Sequence, residues 1–167
     1  MIKKATNRIY TFNSSFETGV RSLCLLVVDL SISLDLQQLS AFDYLVVHTG
    51  DFEAAPPSLH PEMPNRSGEL VIRRELVERG LVLMESKGLV KMHLTQSGFC
   101  YSATELAKVI LDSLQAPYME DLKKRASWVI AHHVTVDQDA FSTVFNKAFD
   151  QWSTEFQFEQ IKIAGNR

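Results

Sequence analysis

The stretch FETGVRSLCLLVVDL, Phe16 to Leu30, constrains the fold more than any other part of the chain, because after Arg21 apolar residues crowd almost every face of a helix drawn through it. A helix that is apolar all round has no side to offer to water, so it belongs in the middle of a core with other elements packed around it. Asn13, Ser14 or Ser15 can cap its start. The run Leu23 to Val28 is stopped by Asp29, well short of the roughly 20 residues that span a bilayer, which predicts a buried helix and no membrane anchor. Surrounding such a helix takes material. The 167 residues, 46% of them hydrophobic, supply enough for one compact unit.

The surrounding elements follow in order. LDLQQLSAFDYLVVHTGDF places Leu36, Leu39, Phe42, Tyr44, Leu45 and Val46 near helical spacing, with Gly50 as its C-terminal stop. Pro56, Pro57, Pro61 and Pro64 then forbid regular helix between Asp51 and Pro64. Ser67 can cap a third helix in which Leu70, Val77, Leu81 and Met84 form a stripe, widened by Ile72, Leu76 and Leu83 and ended by Gly88. Glu69 with Arg73, and Glu75 with Arg79, stand four apart in the favourable orientation. In GLVKMHLTQSGFCYSATELA the apolar residues alternate at Val90, Met92 and Leu94, turn at Gln96-Ser97-Gly98 and resume at Phe99 and Tyr101, which predicts a β-hairpin.

Beyond the hairpin, Leu106, Val109, Ile110 and Leu114 predict one helix face, and Pro117 restarts a helix with Met119, Leu122, Ala126, Val129 and Ile130. From Asp137 a last helix puts Phe141, Val144, Phe145, Ala148, Trp152 and Phe156 on one side, opposite an acidic face. The expected fold is mainly α: a winged helix-turn-helix-like core over 12–103 with one β-hairpin, and a C-terminal helical extension over 104–160 packed on it as one compact unit.

Charge and chemistry narrow the function. Lys and Arg number 17 against 20 Asp and Glu, a net charge of -3, which excludes a surface that wraps nucleic acid throughout. Cys24 and Cys100 form no CxxC pair and are expected as reduced, buried thiols. No apolar h-region opens the chain, and a cytoplasmic setting follows as the expectation. His48, Asp51 and His60 could meet around a metal if the proline-rich loop folds back, yet their spacing matches no HExxH-type motif. Adjacent His132 and His133 point about 100° apart on a helix and chelate poorly. Walker and GxSxG glycine patterns are missing, so no catalytic residue, metal or cofactor is expected.

Three readings of the arginine-rich stretch PNRSGELVIRREL, Pro64 to Leu76, remain. Ser67-Gly68 beside Arg66 resembles an anion nest at a helix start. A DNA-reading winged helix would need basic residues on the third helix and wing. Between Arg66 and Lys91, however, Arg66, Arg73, Arg74, Arg79, Lys87 and Lys91 are offset by Glu69, Glu75, Glu78 and Glu85, and the wing tip carries no charge. A polar protein interface built by Arg66, Ser67, Gly68, Glu69, Arg73 and Arg74, with arginines suited to partner carboxylates, is the better fit.

The segments FNSSFETGVRSL, LDLQQLSAFDYLVVHTGDF, PPSLHPEMPNRSGELVIRRELVERGLVLMESKGLV, FCYSATELA and APYMEDLKKRASWV together resemble the middle component of bacterial ABC-three-component systems. The resemblance covers about Phe12 to Phe156 and is most specific from His60 to Val90. It implies a small non-catalytic accessory subunit, encoded between an SMC-like coiled-coil ATPase and an effector that is commonly a nuclease. Lamassu-type defence against phage and plasmids belongs to that group. His60, where that most specific stretch begins, is expected to join the arginine-rich segment as a partner-binding residue, and any DNA is expected to be contacted through the complex.

Overall fold

In a computed structural model, residues 14–52, 54–61, 66–96 and 98–133 are described, with the backbone alone for Asp51, residues 66–71 and His133. The fold is mainly helical with a small antiparallel sheet. Helix α1 (Ser15–Val27) is followed by strand β1 (Leu34–Asp35), helix α2 (Leu36–Val47), a 3-10 turn at Thr49–Asp51 and helix α3 (Arg66–Ser86). Strands β2 (Val90–Thr95) and β3 (Gly98–Ala103) precede helices α4 (Glu105–Ser113) and α5 (Pro117–His133).

Helix α1 lies where its composition requires, against α2, α3, α4 and α5, and Leu23, Cys24, Leu25 and Leu26 are all buried. Ser14 caps it through a capping box: its hydroxyl accepts from the Glu17 N–H while the Glu17 carboxylate accepts from the Ser14 N–H. Asp35 and Gln38 repeat the device on α2. The α1 and α3 backbones approach closely at Gly19 and Gly80, where a Cβ on Gly80 would come within 2.7 Å of the Gly19 nitrogen. Burial of Leu39 and Phe42 on α2 and of Val77 and Leu81 on α3 contributes about 1.5–3 kcal/mol for each side chain.

The hairpin forms as expected, with Val90 opposite Ala103 and Thr95 opposite Gly98. The two-residue strand β1 joins it, pairing Leu34 with Tyr101, so the sheet order is β1-β3-β2. Gly88, at φ 70, ends α3: its left-handed backbone lets the Leu89 N–H reach back to the Met84 carbonyl at 3.0 Å.

Several expectations are corrected. Helix α2 ends at Val47, not Gly50, because the His48 N–H closes the last turn on Tyr44 and Leu45 carbonyls. Ser67 falls inside α3 and does not precede it. Ile72 is 64% exposed, and the α4 face of Leu106 and Val109 points outward while Ala107 and Leu111 fill the core. Cys24 is buried, its thiol pushed up to about 12 by desolvation, whereas Cys100 is only partly buried. The expected helix from Asp137, with its aromatic stripe, lies outside the described residues.

Candidate partner-binding site

The site begins with a carboxylate in an apolar helix. Asp43 sits in the sequence Ala41-Phe42-Asp43-Tyr44-Leu45 and is fully buried. An isolated buried carboxylate costs several kcal/mol unless cations and hydrogen bonds replace its water. Two arginines do so. From α1, Arg21 donates through Nε to Oδ1 at 2.6 Å and through a terminal nitrogen to Oδ2 at 3.2 Å. From α3, Arg73 donates to Oδ2 and, at 3.0 Å, to the Asp43 carbonyl. Burial alone would raise the Asp43 pKa, but the two guanidiniums outweigh it and hold the carboxyl below the usual range. Burial likewise opposes the Arg21 charge, and Asp43 restores and raises its pKa.

Arg73 is therefore only 3% exposed, with its guanidinium 5.5 Å from the centre of the Tyr44 ring. The sequence pattern placed it on a surface helix face braced by Glu69; the geometry draws it inside, onto an acid thirty residues earlier. Arg74, the next residue, is exposed. Arg66, Ser67, Gly68 and Glu69 form the first turn of α3, and their side chains lie outside the described ones.

The proline-rich loop delivers His60 to the same region. Leu59 and His60 donate their N–H groups to the Val47 carbonyl at 2.9 and 3.1 Å, and Gly50 N–H donates to the Ser58 hydroxyl at 3.0 Å. Arg125 of α5 reaches across to the Pro57 carbonyl at 2.8 Å. The His60 ring shares a 3.0 Å hydrogen bond between Nε2 and the Tyr118 hydroxyl. Burial first, then the electrostatic influence of Arg21, His48 and Arg73, lower the His60 pKa to about 4, which makes it a neutral imidazole at physiological pH.

His48 and His60 do approach, with ring centroids 6.3 Å apart, but His48 is buried against Tyr44. Among the described residues no group of three or more His, Cys, Asp or Glu side chains is placed to hold a metal ion. His132 stacks on Trp128 and bonds its carbonyl. A hollow of ≈ 360 Å³ between α1, α4 and α5 is lined mostly by apolar side chains, Phe16, Val20, Leu114, Tyr118, Met119 and Leu122, with Glu17 and Arg21 also on its wall.

Asp43, Arg21 and Arg125 were missed from sequence. Charges bordering apolar runs, Arg21 in α1 and Asp43 in α2, were the available signal, since opposite charges in two buried helices must find each other or a ligand.

Comparison with curated proteins and with solved structures finds no significant match. A family model matches residues 11–155, which takes in α1 to α5 and the buried Arg21–Asp43–Arg73 network. Over that span, nearly its whole length, the chain belongs to the family of Middle Component 2 of ABC-three component systems.

Proposed function

We propose that this chain is a non-catalytic adaptor in the cytoplasm that links an SMC-like ATPase to an effector nuclease in a Lamassu-type defence against phage or plasmids. The observation that carries the reading is membership, over residues 11–155, of a family defined as one component of a multi-component system. No helix among the described residues is long and apolar enough to cross a membrane.

A winged-helix-like core over 12–103 with a helical extension over 104–160 is the architecture we infer. Supporting it are the element order α1-β1-α2-α3-β2-β3, the central position of β3, and the packing of α5 on α1 and α2. In this reading the partner surface is the start of α3 with its leading loop: His60, Arg66, Ser67, Gly68, Glu69 and Arg74, with Arg73 holding the segment from within. The same topology favours one other reading, a DNA-binding regulator or sensor.

Co-expression with the other components of its system tests the proposal. A stoichiometric complex should persist through gel filtration, while the isolated chain should neither hydrolyse ATP nor cut DNA. Nuclease activity of the isolated chain that disappears in His48→Ala or His60→Ala would instead establish a metallo-hydrolase.

A further inference from the structure

One face of the hairpin is apolar throughout; its base, Val90 opposite Ala103, is buried in the core, and its outer part is open to solvent. Directly opposed residues of an antiparallel ladder point to the same side, and the register sets Met92 against Tyr101 and Leu94 against Phe99. Met92 is 45%, Leu94 76% and Phe99 54% exposed. Single apolar residues in water mean nothing, but these three on one small sheet face, with the half-buried Tyr101 beside them, make a patch.

The element beside it is α3, which packs against β2. Burial raises the pKa of the Tyr101 hydroxyl, and Glu78 and Glu85 raise it further, which puts both carboxylates within electrostatic reach of the ring. Glu78, Val82 and Glu85 follow at i, i+4 and i+7, so they share one exposed face, with Val82 62% exposed between the acids. Glu75 is occupied by Arg79 at 2.6 Å. The hairpin's one cation, Lys91, alternates onto the opposite face with His93, which bonds Ser102 at 2.7 Å. The surface is thus apolar with an acidic rim, the reverse of what a phosphate backbone attracts. A second copy of the chain fits it poorly too, since a two-fold contact brings the same patch, and the same carboxylates, together.

We propose that Val82, Met92, Leu94, Phe99 and Tyr101, rimmed by Glu78 and Glu85, dock an amphipathic segment of another component of the system that presents large apolar side chains flanked by lysine or arginine. This rests on the adaptor reading and extends it. Arg74 and Glu85 are eleven residues apart, about 16 Å along α3, so one helix offers a cationic end and an acidic, apolar end to different partner segments.

The test uses the full chain co-expressed with the other components, with a benzophenone amino acid at Leu94. Crosslinks should map to a segment of another component in which lysine or arginine flanks apolar residues. Leu94→Lys, and Glu78→Lys with Glu85→Lys, should each weaken the purified complex by about tenfold or more without lowering the thermal midpoint of the isolated chain. Lys91→Glu, on the other face, should leave affinity unchanged. Crosslinks to added duplex DNA, to a second copy or to the chain's own residues would overturn the proposal, as would unchanged affinity in both variants. A wild-type chain that forms no complex at all overturns the adaptor reading and this surface together; a complex indifferent to the variants removes only the surface.

Discussion

Arg73 and Arg74 are neighbours with opposite fates, and the difference is set by Asp43. Arg73→Glu would place a second carboxylate beside a buried one, leave Asp43 with Arg21 alone, and lose about 3–5 kcal/mol of folding free energy, measurable by urea unfolding. Arg74→Glu, on the exposed side, should change stability by no more than about 0.5 kcal/mol while weakening the complex. Sequence spacing offered Glu69 as the obvious partner of Arg73. A contact thirty residues away cannot be read from helical periodicity, yet once Arg73 is inside, the buried acid dominates because a desolvated guanidinium needs a charged partner in place of water.

The same cluster sets a pH response. His60 has a folded pKa lowered to about 4 from 6.5, so between those values the unfolded chain binds a proton that the folded chain refuses. Its contribution is fully present above pH 6.5 and is lost as the pH falls toward 4. Asp43, whose folded pKa is depressed below 3.8, adds a loss only at still lower pH. His60→Gln should therefore flatten the decline of the urea midpoint between pH 6.5 and 4.5. An unchanged slope would show that His60 is solvated and carries no such shift.

Among the elements, α1 and the hairpin were legible because their patterns have one solution each: an all-round apolar helix must be central, and alternation about Gln96-Ser97-Gly98 must turn. β1 was not legible, since two residues, Leu34 and Asp35, carry no period; they are strand only because β3 offers Tyr101 and Cys100 an edge. In α4 the sequence shows a wide apolar arc, and which part of it is buried depends on how α1 crosses it: the small Ala107 and Leu111 face inward, leaving Leu106 and Val109 outside. The α1–α3 crossing gives a sharp prediction. Alanine normally stabilises a helix by about 1 kcal/mol over glycine. At Gly80 its methyl would meet the Gly19 nitrogen at 2.7 Å and the Ser15 carbonyl at 2.8 Å, backbone atoms that move only if α1 moves. Gly80→Ala should destabilise by about 1–3 kcal/mol. Gly19→Ala, whose closest contact is the flexible end of Met84 at 2.6 Å, should cost less in the same denaturation experiment.

At the scale of the whole molecule, charge bears on the two proposed uses of this fold. A DNA reader collects cations on its third helix and wing. Here the net charge is -3, the buried Arg73 is spent on Asp43, Arg79 is paired with Glu75, and the α3 face beside the hairpin carries Glu78 and Glu85. The cations counted along the sequence overstate what solvent sees, because periodicity cannot tell that one of them is internal. Each phosphate a protein neutralises adds close to one unit to the salt slope of its affinity. With few exposed cations on this side, the isolated chain should bind duplex DNA no more tightly than about 1 μM at physiological salt, without sequence preference. Replacing Glu78 and Glu85 together by lysine should strengthen that binding and steepen its salt dependence, measured by fluorescence anisotropy on one labelled duplex. Tight, sequence-specific binding by the wild-type chain would instead make α3 and the hairpin a DNA-reading surface, and the acidic rim would then have to lie off the contact.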